Sequence, residues 1–156
     1  MWDLFSSEVG QFERTWNTNI RRMFNLPLTT HRYLIEPISG TRHLKKILIQ
    51  RFISFLHQIS NSTKIATKQL LSFILTDTRS NTGSNVRQIL RLTNRYNWKD
   101  VKKSDIDAID YHDISEHEKW RVSLISDLLE LQMNNVTIDG FSFEDLELIL
   151  NYACTS

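Results

Sequence analysis

Across residues 41–60, Leu44, Ile47, Leu48, Phe52, Phe55, Leu56 and Ile59 return at steps of three and four. That spacing lines one face of a 3.6-residue helix and cannot line one face of a strand, where neighbours alternate. The same rhythm recurs along most of the chain, while only 4 Gly and 2 Pro in 156 residues leave little material for the tight turns that a sheet requires. The expected fold is therefore all-α, an irregular bundle of about six or seven short helices in a single helical domain over 1–156. A chain of this length buries about 68–70% of its unfolded surface, so a core without disulfide staples is feasible.

The helices can be placed along the chain. Trp16, Ile20 and Phe24 or Met23 make an apolar stripe with Arg21 and Arg22 pointing partly away from it, and Pro27 forces a turn after them. A second short helix within 29–39 is ended or kinked by Pro37, and Gly40 separates it from the long helix over 41–60, whose outer side carries Arg42, Lys45, Lys46 and Arg51. Residues 64–77 follow with a broad apolar face of Leu70, Leu71, Phe73, Ile74 and Leu75, then a polar loop over 78–85 with Gly83. A short helix over 86–94 turns Val86, Ile89, Leu90 and Leu92 inward and sets Arg87, Arg91 and Arg95 one turn apart outside. After a connector with one helical turn near Ile106, Ser115 and Glu118 form a capping box for a helix reaching about Met133, with Trp120, Leu124, Leu128 and Leu131 on one face. Residues 136–138 read as a stray extended segment, Asp139-Gly140 as a turn, and Ser142 as the cap of a last helix packed by Leu146, Ile149 and Leu150. Of the tryptophans, Trp98 between Asn97 and Lys99 is expected free to stack on a base, and the others are expected in the core.

Charge is segregated along the chain. Residues 1–103 hold 17 Lys and Arg against 6 Asp and Glu, and residues 104–156 hold 2 against 12, so a near-neutral +1 conceals parts of +11 and −10. A basic segment attracts phosphate backbones and an acidic one repels them, which places any RNA or DNA contact in the first two thirds. The acidic part can equally neutralise the basic part within the folded chain.

The single cysteine, Cys154, excludes a disulfide framework and a cysteine-built zinc site and fits a reducing, intracellular setting, cytoplasmic or nuclear. No apolar run approaches the roughly 18 residues that span a bilayer, and no membrane partner is expected. Asp105, Asp107, Asp110 and Asp113 do not make a calcium loop, because Asp110 stands where the mid-loop glycine belongs. His112 and His117 straddle a helix start and do not pair for a metal. No nucleophile with a partnered base is visible, so the chain is not expected to be an enzyme, and no cofactor or metal is expected.

Several short stretches resemble a known family. Trp2-Asp3-Leu4, Trp16-Asn17, Arg21-Arg22, Leu26-Pro27, Thr30-His31-Arg32-Tyr33-Leu34, the amphipathic run from Leu44 to Phe55 and the ending Asn151-Tyr152-Ala153-Cys154-Thr155-Ser156 are similar to the region downstream of the polymerase core in LINE-type (non-LTR) retrotransposon reverse transcriptases. The resemblance runs the length of the chain and is most specific over residues 16–34. It implies a fragment or remnant of a larger polyprotein, an upstream polymerase core as partner, and helices that help to hold template RNA or target DNA. The aromatic-x-Asp-Asp turn of the polymerase has no counterpart, since the stretch from Asp107 to Asp113 matches it only superficially. Resemblance here implies descent without catalysis.

The residues and the resemblance together lead to a non-catalytic nucleic-acid-binding helical region whose basic face carries Arg21, Arg22, His31, Arg32, Arg42, Lys45, Lys46, Arg87, Arg91 and Arg95. The alternatives are a protein-interaction module docked through the acidic helices and a relic of a retroelement reading frame.

Overall fold

The computed structural model describes residues 2–112, 115–133, Leu148 and Tyr152, with the side chains of 131–133 excepted. The fold is all-α. Among the described residues there are seven α-helices, one 3-10 turn and no strand: α1 Ser7–Met23, α2 Arg32–Ser39, α3 Leu44–Ser60, α4 Ile65–Thr76, α5 Asn81–Thr93, the 3-10 turn Trp98–Asp100, α6 Lys103–Asp107 and α7 Glu116–Met133. The turn at Asp139-Gly140, the segment 136–138, the helix capped by Ser142 and Cys154 lie outside the described residues. The described residues fall into two compact units, one from 1–13 and 43–110 and one from 14–42 and 111–156.

In the first unit α3 is the central element, packed against α4, α6 and the 3-10 turn, while α4 also packs on α5. Its buried face is Leu44, Ile49, Phe52, Ile53 and Leu56, so Ile49 and Ile53 take places expected for Ile47 and Phe55, and the Phe55 ring is exposed. The helix starts at Leu44 because His43 caps it: the His43 Nδ1 accepts from the Lys45 N–H at 3.2 Å. The other ring nitrogen lies 2.9 Å from Glu13 Oε1, both side chains being buried. Asn85, fully buried, accepts from the Leu4 N–H at 3.0 Å and donates to the Trp2 carbonyl at 2.9 Å, fastening the start of the chain to α5.

The loop expected over 78–85 is largely helix. Ser80 closes the end of α4 and opens α5, donating to the Ile74 carbonyl at 2.7 Å and accepting from the Gly83 N–H at 2.9 Å. Gly83 misleads a reading of the sequence because it serves proximity and not a turn. A β-carbon there would sit 2.9 Å from the Asp77 carbonyl in the turn and 3.1 Å from that of Ile74 in α4, so the first turn of α5 lies closer to this junction than a side chain fits without a shift.

The second unit gathers Tyr33, Leu34 and Ile125, with Ile38, Val122 and Leu129 packed against them, where α2 meets α7. The inward side of α7 is thus Val122, Ile125 and Leu129, and not the face led by Trp120, which is 61% exposed. The tryptophan expectations reverse at three positions: Trp98 is buried against the His57 ring at 4.9 Å, whereas Trp2 and Trp120 lie outside. Helix α1 is longer than its apolar stripe foretells, because polar residues occupy its buried side. Glu13 and Asn17 are buried along with Val9 and Ile20, while Met23 and Phe24 are exposed. It ends at a left-handed Asn25 (φ 51°), with the Leu26 N–H bonded to the Arg21 carbonyl at 2.8 Å and the Asn25 N–H to that of Arg22 at 3.2 Å. This is a Schellman stop with Pro27 just beyond it. Helix α2 runs two residues past Pro37 and stops at Gly40 (φ 66°). The capping box at α7 forms as expected, with Glu118 Oε2 accepting from the Ser115 N–H at 2.7 Å and Ser115 Oγ accepting from the Glu118 N–H at 3.3 Å.

Candidate nucleic-acid interface

The ten residues expected on one basic face have different fates. In the second unit the Arg21 guanidinium is spent on structure. Its Nε and Nη2 both donate to the Thr30 carbonyl, at 3.0 and 2.7 Å, locking the α1–α2 turn. Burial, with the charge of Arg32 adding to it, lowers its pKa from the ordinary arginine value. Arg22 and Arg32 are exposed. His31 is half-buried and stacks on Tyr33 with ring centroids 5.3 Å apart, its side chain capping nothing. Arg42 is half-buried.

In the first unit Lys45 is 3.8 Å from the buried Glu13 carboxylate, and Lys46 is half-buried. Arg95 is engaged by Asp105, with Nη2–Oδ1 at 2.7 Å and Nε–Oδ2 at 3.2 Å. The hydrogen bonds from Arg95 and from the Lys102 N–H hold the Asp105 carboxyl below its ordinary range, so this aspartate closes a loop and caps α6. Among the described residues no group of three His, Cys, Asp or Glu side chains is placed to hold a metal ion.

Helix α5 holds its cations outward. Arg87 and Arg91, four residues apart, are exposed; Arg87 Nη2 donates to the Thr78 carbonyl at 3.1 Å, and Arg91 has no partner among the described residues. The helical repeat places them beside Asn81, Ser84 and Gln88, which are exposed or half-buried, opposite the buried Thr82, Asn85, Val86 and Ile89. Asn81 and Ser84 fall in the expected loop because Gly83 conceals the start of α5, for which Ser80 as a helix cap is the signal; Gln88 lies within the expected helix over 86–94 but carries no charge to mark it. From residue 78 to residue 99 there is no acidic residue, while Arg79, Arg87, Arg91, Arg95 and Lys99 are basic.

A different surface lies on α4. Ile65, Leu70 and Phe73 are 72%, 57% and 67% exposed, so the broad apolar face expected of this helix is divided: Leu70 and Phe73 are exposed, Ile74 and Leu75 half-buried and Leu71 buried. Leu70, Leu71 and Ile74 line a groove of about 340 Å³ with Phe55, Leu56 and Ile59 of α3.

No helix among the described residues is long and apolar enough to cross a membrane. The chain matches no family model, no curated protein and no solved structure. The retrotransposon and reverse-transcriptase descriptors drawn from short stretches of sequence are therefore withdrawn, since no family, relative or structure carries them.

Proposed function

We propose that this chain is a non-catalytic nucleic-acid-binding helical region that contacts phosphate backbones through exposed arginines, chiefly Arg87 and Arg91. One observation carries the reading: α5 presents two arginines a turn apart to solvent, in a stretch from 78 to 99 with five basic and no acidic residues. Exposed cations held at this spacing on a helix release counterions from a phosphate chain on contact. In the second unit, taken by itself, Arg22 and Arg32 are exposed, whereas Arg21 there and Arg95 of the first unit are committed to internal bonds. The test is fluorescence anisotropy with a labelled nucleic-acid 20-mer at low salt. The chain should bind it and be displaced by heparin, and Arg87→Ala with Arg91→Ala should weaken binding about tenfold or more. Unchanged affinity in that variant, with helix content preserved, would refute the proposal.

A protein-interaction role is favoured by a separate feature, the exposed Ile65, Leu70 and Phe73 on α4. Apolar side chains grouped on one helix face mark contact surfaces on soluble proteins. This reading predicts a partner held through α4 with little dependence on salt.

A further inference from the structure

We infer that α4, the turn and α5 form a reading device for duplex DNA, with α5 laid in the major groove and Asn81, Ser84, Gln88 and Arg91 facing the base edges. The inference rests on the nucleic-acid reading above and goes further by naming the form of nucleic acid and the mode of recognition.

The junction is built to present α5 in a fixed direction. The turn holds only the four residues Asp77, Thr78, Arg79 and Ser80. Several bonds tie it down: Ser80 Oγ to the Ile74 carbonyl and to the Gly83 N–H, the Arg79 N–H to Asp77 Oδ1 at 2.9 Å, and Arg87 to the Thr78 carbonyl. With Gly83 lying against the carbonyls of Ile74 and Asp77, the first turn of α5 cannot swing without breaking this set. A sequence reader needs such rigidity, since base-edge hydrogen bonds depend on placement within a fraction of an ångström.

The outward face of α5 also has the right chemistry. Arginine pairs with guanine O6 and N7, Asn and Gln pair with adenine N6 and N7, and serine serves either. These are the polar residue types on the exposed arc, which carries no carboxylate to repel phosphates and no aromatic ring to stack an unpaired base. A helix about 10–12 Å across fits the major groove of B-form DNA, about 12 Å wide, and is excluded from the deep, narrow major groove of A-form RNA. Lys68 on α4 and Lys64 just before it are exposed cations of the same two-helix element, while Arg79 in the turn, its side chain 94% exposed, lies 4.0 Å from Asp77 Oδ1.

The test compares the full chain on a 20-base-pair DNA duplex, the RNA duplex of the same sequence and either single strand, at one salt concentration. It is followed by methylation interference at guanine N7 on duplexes selected from a randomised pool. The DNA duplex should bind roughly tenfold or more tighter than the RNA duplex, and guanine N7 methylation, which blocks only the major groove, should abolish the selected preference. Gln88→Ala should change the selected sequence and leave the salt dependence intact. Salt-sensitive binding that treats DNA and RNA duplexes alike, or favours single strands, or ignores N7 methylation, would overturn this inference while leaving phosphate binding by α5 in place. Failure to bind any nucleic acid at low salt would overturn both.

Discussion

Arg21 and Arg22 are neighbours in sequence and opposites in use. The Arg21 fork is half-withdrawn from water onto the Thr30 carbonyl, and hydrogen bonds to a charged donor contribute about 1.5–3 kcal/mol. Arg21→Ala should therefore lower stability by roughly 1–3 kcal/mol in a urea titration, while Arg22→Ala should stay within about 0.5 kcal/mol of wild type. Equal effects from the two substitutions would contradict the assignment. The sequence cannot separate them, because both stand beside an apolar stripe and the acceptor is a backbone carbonyl nine residues on. Gly83 makes a second test at this scale. Alanine improves an exposed helix interior by up to about 1 kcal/mol, but here its methyl would meet the backbone oxygens of Asp77 and Ile74. Overpacking against atoms that cannot yield costs about 1–3 kcal/mol, so Gly83→Ala should lower the unfolding midpoint, and a raised midpoint would sink this account of the glycine.

At the scale of elements, sequence rules work where local bonds decide and fail where packing does. The start of α7 is legible because Ser115 and Glu118 satisfy each other's backbone within a single turn. The same contact makes a pH prediction. The backbone bond from Ser115 first, and its hydroxyl second, lower the Glu118 pKa from its ordinary 4.5. A carboxyl with a depressed folded pKa stabilises fully above its unfolded value and loses that contribution as pH falls through the folded one. Helicity assigned to α7 by backbone chemical shifts should hold at neutral pH and decline below about pH 4.5, and Glu118→Gln should flatten that decline. A decline unaltered by the substitution would detach it from the cap. The faces of α3 and α7, in contrast, are rotated from those that periodicity suggests. Phe55 and Trp120 fit an apolar stripe as well as Ile53 and Ile125 do, and only the position of the partner helix selects between them. The start of α5 is hidden for a related reason: glycine reads as a breaker, although its meaning lies in the distance to α4.

For the whole molecule, charge changes its meaning on folding. The sequence divides into +11 and −10 at residue 103, but the unit of 1–13 and 43–110 holds 12 basic and 8 acidic residues, and the unit of 14–42 and 111–156 holds 7 and 10. Those net charges of +4 and −3 are far milder than the linear split, and several basic residues are already paired, as Arg95 is with Asp105. What survives for a ligand is local, and on α5 it is Arg87 and Arg91, which stay exposed. The fold class is legible from periodicity and glycine scarcity, whereas the candidate interface is legible only in part, because salt bridges and carbonyl contacts between distant residues remove Arg21 and Arg95 from it. The most direct measurement of the central claim is the log–log slope of nucleic-acid affinity against salt for wild type and for the chain carrying Arg87→Ala and Arg91→Ala. Removing one phosphate-binding side chain should flatten the slope by about 0.7–0.9, so the double variant should be shallower by at least about that amount. An identical slope in the two proteins would contradict binding through α5.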